Sequence, residues 1–235
     1  MKSKKKIIGI GIIVLCVLSF VGYKAFLLVY FNHSDKEYRE IFNEITDLSI
    51  HKNVINQNAS VGNLHYFVPI ELKEEKQENG QKIYVERDDN GNQVAQLTIG
   101  LANLSSLEDT KQSLNFVHYE KLAKKYNIQD EIDLYHYYYE HKEENANIFW
   151  SSSHIKMNGF VNHYMLIVSS GGTSCHSYFL NDDLKGYLLE CSNRNVYDAY
   201  FVYEKELYVV NFMGKESTSM TYQEFIKILE SISFA

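Results

Sequence analysis

The hydrophobic and polar positions of this chain follow three patterns in turn. From Ile7 to Phe31 the apolar run is continuous, 25 residues in which Lys24 alone is charged. Roughly 20 residues suffice for a helix to cross a hydrocarbon core, so the run predicts a transmembrane span over 7–31. Helical spacing follows: Ser34-Asp35-Lys36-Glu37 has the form of a capping box, with Tyr38, Ile41, Phe42, Ile45 and Leu48 behind it. This predicts an amphipathic helix over 34–48, beginning close to the membrane. The same spacing returns at 105–125, where Ser105 and Glu108 form a cap and Leu107, Leu114, Val117 and Leu122 an apolar face. It closes the chain, where Thr221-Tyr222-Gln223-Glu224 precedes Phe225, Ile228, Leu229 and Ile232.

Between these helices a period of two prevails. Asn90-Gly91 lies between Ile83-Tyr84-Val85 and the run from Val94 to Ile99, and Asn158-Gly159 lies between Ile148-Phe149-Trp150 and Phe160-Val161. Each pair predicts a tight hairpin. Further strands are predicted at 134–139, 176–180, 187–191, 199–203 and 208–212. Strands outnumber helices and short turns join them. The expected fold class is therefore α+β: an N-terminal transmembrane helix, then a largely antiparallel sheet with helices packed on one face. The other face would stand free, and sheet twist would make it a concave surface suited to protein binding.

Charge sets the expected orientation. Lys2, Lys4, Lys5 and Lys6 flank the apolar run on one side and no acid precedes Asp35. The positive-inside rule then assigns 1–6 to the cytoplasm, 7–31 to the membrane and 32–235 to the extracytoplasmic side. Lys24, near the outer end, can snorkel to the interface. A cleaved signal peptide is the alternative, but Val17-Leu18-Ser19 is a poor cleavage site and the apolar run continues beyond it. Cys16 follows Val14-Leu15 instead of the small residue that bacterial lipidation requires, and reads as a cysteine in lipid.

The first 31 residues hold five of the 23 basic residues and none of the 30 acidic ones, so 32–235 carries 18 − 30 = −12. Such a surface repels nucleic acid and anionic head groups; solubility accounts for it, and so would a basic protein partner. One proline and 12 glycines in a chain that is 45% hydrophobic exclude a disordered stalk, which leaves a single domain. Cys175 and Cys191 each lie eight residues from Asp183, the centre of a predicted hairpin. They could face one another, and both a disulfide and two separate thiols fit that compartment.

Chemistry is sparse. The densest histidine cluster, Tyr135-His136-Tyr137-Tyr138-Tyr139-Glu140-His141, is one residue too long for the His-x-x-Glu-His zinc pattern. In a strand its two histidines would point to opposite faces, and Tyr135, Tyr137 and Tyr139 would share a side, either under a helix or at an interface. Glu86 to Gly91 alternates oxygen ligands as a calcium loop does, yet begins with Glu and ends on Leu97; a hairpin turn accounts for it. The segment 169–175 has neither a hydrolase elbow nor a phosphate loop. No catalytic residue, metal or cofactor is expected. The remaining candidates are acids: Glu140, Glu143 and Glu144 after the tyrosines, and Asp182, Asp183 and Glu190 around the cysteine hairpin. Singly they are solvated surface. Gathered on a sheet face with Tyr137 and Tyr139, they would steer and anchor a basic protein.

The basic segment from Lys2 to Lys6, the single span, the helix at 34–48 and an acidic strand-rich domain ending Glu224-Phe225-Ile226-Lys227-Ile228-Leu229 resemble, in organisation, the TipC-like immunity proteins of Gram-positive bacteria. These protect against secreted LXG toxins of the type VII secretion system. The resemblance spans the chain in outline and has no diagnostic motif, so it transfers no residue. It implies a membrane-anchored protein that neutralises a secreted toxin outside the cytoplasm by stoichiometric binding through a negatively charged concave sheet, without catalysis. The alternative is an extracytoplasmic accessory or ligand-sensing domain of the cell envelope, which a deep apolar pocket would favour. Polar groups converging in a cleft around His154 or His163 would instead indicate an enzyme.

Overall fold

The computed structural model describes residues 2–32, 44–50, 55–102, 111, 119–141, 147–168, 174–181, 184–191 and 194–235. The apolar run forms one helix, α1 (Lys2–Asn32), and its stretch Ile12–Tyr30 is long and apolar enough to cross a membrane. Strands β1 (Glu44–Ser49), β2 (Ala59–Val61), β3 (Leu64–Tyr66), β4 (Lys73–Glu78), β5 (Gln81–Arg87) and β6 (Gln93–Leu101) come next. Three helices follow, α2 (Tyr119–Lys125), α3 (Glu131–His141) and α4 (Ser152–Val168). The chain ends with β7 (Ser174–Asn181), β8 (Leu184–Cys191), β9 (Val196–Tyr203), β10 (Glu206–Gly214), α5 (Tyr222–Ser231) and β11 (Ser233–Phe234).

The architecture is α+β, with a large and mostly antiparallel sheet. Among the described residues, eight strands stand in the order β1-β7-β8-β9-β10-β6-β5-β4, and a small sheet has the order β11-β3-β2. Two meanders, β4 to β6 and β7 to β10, meet where β10 pairs antiparallel with β6, and β1 lies parallel to β7 at one edge. Helices α2, α3 and α4 cover one face of the sheet, burying Tyr187 and Leu189 of β8, Tyr200 of β9 and Val209 of β10. On the other face Leu188, Ala199, Phe201, Val210 and Phe212 pack against the small sheet and α5. The free concave face expected from the sequence is therefore not found over these strands. Strands β8 and β9 are almost continuously buried, the mark of a strand covered on both sides.

The closing helix forms as expected. The Thr221 hydroxyl accepts from the Glu224 backbone N–H at 3.3 Å, and the Glu224 carboxylate accepts from that of Thr221 at 2.7 Å. Phe225, Ile228 and Leu229 fill the core behind that cap. The Asn90-Gly91 hairpin also forms, organised by Asp88: its carboxylate accepts from the N–H groups of Asn90 and Asn92, and Gly91 takes the φ of +82° that only glycine adopts without strain.

Three segments differ from expectation. Residues 134–139 belong to helix α3, not a strand: the Asp130 carboxylate accepts from the Asp133 N–H at 3.0 Å, and Ile132, Tyr135 and Tyr138 recur every three residues on the buried side. Asn158-Gly159 lies inside α4, where Asn162 donates to the Asn158 side chain one turn back. Burial of Ile155, Met157, Phe160, Val161, Tyr164 and Met165 outweighs the roughly 1 kcal/mol that a glycine costs a helix. Ile45 and Leu48 belong to strand β1, while 33–43 lie outside the described residues. Of the helix expected at 105–125, 119–125 is helical; Leu107, Leu114 and Val117 lie outside the described residues.

Candidate functional site

The structure divides the acidic and aromatic residues singled out in the sequence. Tyr137 and Glu140, both on α3, line a shallow cleft of about 350 Å3 with Tyr126, Asn127, Ile128, Asp133, His136 and Lys185. Tyr139 is half-buried on the same helix, its ring 6.5 Å from that of Tyr135. Glu190 lies on the opposite face of the sheet, since side chains alternate along β8 and its neighbour Leu189 faces the helices. There its carboxylate sits 3.4 Å from His176, whose other ring nitrogen meets the Thr46 hydroxyl at 2.5 Å. Glu143, Glu144, Asp182 and Asp183 lie outside the described residues.

Cys175 and Cys191 are both buried and no disulfide joins them. With a bulge between Phe179 and Asn181, Cys175 stands opposite Leu189, while Cys191 stands opposite Val196 of β9. The expected facing pair is thus offset by two positions along β8.

The α3 cleft is held by charge and by burial. Lys185 donates to the Asp133 carboxylate at 2.6 Å, and the other Asp133 oxygen accepts from the Gln129 N–H at 2.8 Å. Burial, aided by the Lys185 ammonium, lowers the His136 pKa below the usual histidine range, so the ring is neutral at pH 7. Burial likewise raises the Asp130 carboxyl. Tyr137 is only 6% exposed and stacks on His141 at 4.1 Å, so its ring belongs to the core more than to the surface. The cleft presents one exposed carboxylate, that of Glu140.

A better-formed surface lies on the opposite side of the sheet from α3. The chain's one proline, Pro69, is buried at the start of a turn closed by Leu72 N–H donating to the Pro69 carbonyl at 3.1 Å. At its tip Ile70 is 76% exposed, although it is large and apolar. The Asn58 side chain grips the segment between β3 and the turn, accepting from the Val68 N–H at 2.8 Å and donating to the Val68 carbonyl at 2.9 Å. Ser231 of α5 accepts from the Phe67 N–H at 2.8 Å. These bonds fix the ridge before any partner arrives.

Two grooves flank the ridge. One, of about 760 Å3 and largely apolar, runs past Ile55, Phe67 and Val68 to Glu71, Glu224, Lys227 and Glu230. The other, of about 560 Å3, passes His65 and Leu72 to Glu74 and Lys82. The Glu74 carboxylate accepts from Lys82 at 2.9 Å and holds the ammonium above the usual lysine range. An apolar knob between grooves, rimmed by Glu71, Glu74, Glu224 and Glu230 together with Lys73, Lys82 and Lys227, has the form of a binding surface. No expectation from the sequence pointed to it. The available signal was Phe67-Val68-Pro69-Ile70, an apolar run broken by proline and too short for a helix.

Among the described residues no three His, Cys, Asp or Glu side chains gather as metal ligands would. No protein-family model matches the chain, and neither the curated proteins nor the solved structures contain a match.

Proposed function

We propose that this chain is a membrane-anchored immunity protein that neutralises a secreted antibacterial toxin outside the cytoplasm by stoichiometric protein binding. The Ile70 ridge carries the proposal: a rigid, exposed apolar anchor between two grooves rimmed by charged side chains of both signs suits a protein partner, and the net charge of 32–235 suits a basic one. The −12 charge of 32–235 would speed the encounter. The lysines at the start of α1 argue for a cytoplasmic N-terminus, and hence for an extracytoplasmic domain on the side a secreted toxin reaches. Binding alone accounts for protection, so the ridge takes the place of the sheet face as the toxin-binding surface and no catalytic step is invoked.

The test is protection. Sensitive cells expressing the chain should survive the proteins secreted by the producing strain, and cells expressing Ile70→Asp should not. Loss of a fully desolvated apolar anchor costs about 2 kcal/mol or more, some thirtyfold in affinity. Protection undiminished by Ile70→Asp would remove the ridge from the mechanism; absence of protection by the natural chain would refute the immunity reading.

The apolar groove of about 760 Å3 favours a second reading, an extracytoplasmic accessory or ligand-sensing domain of the cell envelope. That reading requires an apolar small molecule to co-purify with the chain and to stabilise it, with no secreted protein bound.

A further inference from the structure

The descent of α1 onto the domain fixes a level along the helix. Side chains from Ile12 to Tyr23 are exposed, and then Lys24 is 4% and Leu27 3% exposed. Lys24 does not extend into solvent. Its ammonium donates to the Ile148 carbonyl at 3.4 Å and to the Trp150 carbonyl, in the turn that leads into α4. The stretch from Ile7 to Tyr23 that precedes this contact has 17 residues, about 26 Å of helix, enough for a short span. The turn at 147–151 therefore lies where that span leaves the hydrocarbon.

At that level the surface is aromatic. Phe149 is 92% exposed, the highest value of any large apolar side chain among the described residues. Trp150 beside it is half-buried and stacks on His154 at 4.1 Å. On α1, Phe26 and Tyr30 are 59% and 48% exposed and stack on each other at 5.7 Å. Aromatic rings around a lysine in the outer part of an apolar helix match the girdle found at membrane–water interfaces.

We propose that the turn at 147–151 is a second membrane contact, with Phe149 inserted and Trp150 lying in the interfacial layer beside α1. The inference rests on α1 being a retained membrane anchor. The domain is then seated on the bilayer through two points instead of swinging from one, with α4 towards the lipid. The Ile70 ridge, on the other face of the sheet, is held away from it.

Trp150 is the only tryptophan in the chain, so its fluorescence reports this contact directly. The full chain is reconstituted into phosphatidylcholine vesicles whose acyl chains carry bromine either near the head group or near the bilayer centre. Strong quenching by the shallow bromine, weak quenching by the deep one and shielding from aqueous iodide are expected. Phe149→Ser should shift the balance between seated and lifted states by about tenfold, the worth of an inserted phenyl ring, and Phe149→Leu should largely preserve it. The exposure of Phe149 makes both variants tolerable to the fold. Iodide quenching without bromine quenching, in a chain that resists carbonate extraction, would overturn the second contact and leave the anchor standing. Shielding from iodide and from both bromines would mean a protein neighbour covers the turn, and would overturn it too. Release of the chain by carbonate would defeat the anchor itself.

Discussion

Gly186, in the middle of β8, tests how tightly the two layers close on the central sheet. It pairs with Tyr178 of β7 and Phe201 of β9. The Tyr178 ring lies over the position a side chain would occupy: a Cβ there would meet Tyr178 Cζ at 2.5 Å and its hydroxyl at 2.6 Å, and would press on the Tyr200 carbonyl oxygen. Tyr178 is fully buried and donates to that same carbonyl at 3.1 Å, so neither obstacle can swing into solvent. Overpacking a filled core costs about 1–3 kcal/mol. Disturbing the hydrogen bond adds about 1 kcal/mol. Stiffening of the unfolded chain by alanine returns about 0.4–1 kcal/mol. Gly186→Ala should therefore destabilise by about 1–3 kcal/mol on these three contributions. Urea titration of the full chain in detergent, followed by far-ultraviolet circular dichroism, measures it. In a Tyr178→Leu background the same substitution should cost distinctly less, because the ring it strikes is gone. A cost below about 0.5 kcal/mol, the range of an ordinary surface change, or strict additivity of the two substitutions would refute the account.

Other outcomes follow from single contacts. Thr221→Ala removes the cap of α5 and should lower stability by about 1 kcal/mol, read as a fall in the urea midpoint, while Thr221→Ser should restore most of it. Asp198 is buried on β9, accepts from Asn211, and burial holds its carboxyl above the usual range. The fold then binds that proton more tightly than the unfolded chain, so stability is lost as pH rises from about 4 through the raised value. Asp198→Asn keeps the bond from Asn211 and should remove that loss; urea midpoints across pH should diverge in the variant's favour as pH rises. Because no disulfide joins Cys175 and Cys191, reductant should leave the melting temperature unchanged, and a drop of several degrees would show a bond the register does not provide.

Locally specified features were legible in the sequence. The continuous apolar run of α1, the capping box and stripe of α5, and the Asp88 turn each rest on residues a few positions apart, whose hydrogen bonds or burial need no distant partner. The strands of the β7 to β10 meander were legible from period and from short turns. Where these cues misled, a long-range contact was decisive. The tyrosines of α3 favour a strand by propensity, yet Tyr135 stacks on Tyr187 at 4.5 Å from a helix laid across the sheet. Asn158-Gly159 favours a turn, yet its flanks are buried as one helix alongside α1 and α3.

The proposed binding surface divides in the same way. The sequence by itself determined the net charge, the apolar run long enough to cross a membrane and the shortage of catalytic motifs, because these depend on which residues are present. Only the tertiary structure decided where the surface stands. A strand pattern shows which side chains share a face, not what covers that face. The sequence pointed to a free second face; in the structure α2 to α4 cover one face of β8 and β9 and a small sheet of β2, β3 and β11 with α5 covers the other. That second layer carries the Pro69 turn outward and leaves Ile70 in solvent. The placement joins Phe67 to Ser231, residues far apart along the chain, and that hydrogen bond exists only after α5 has docked beside the small sheet.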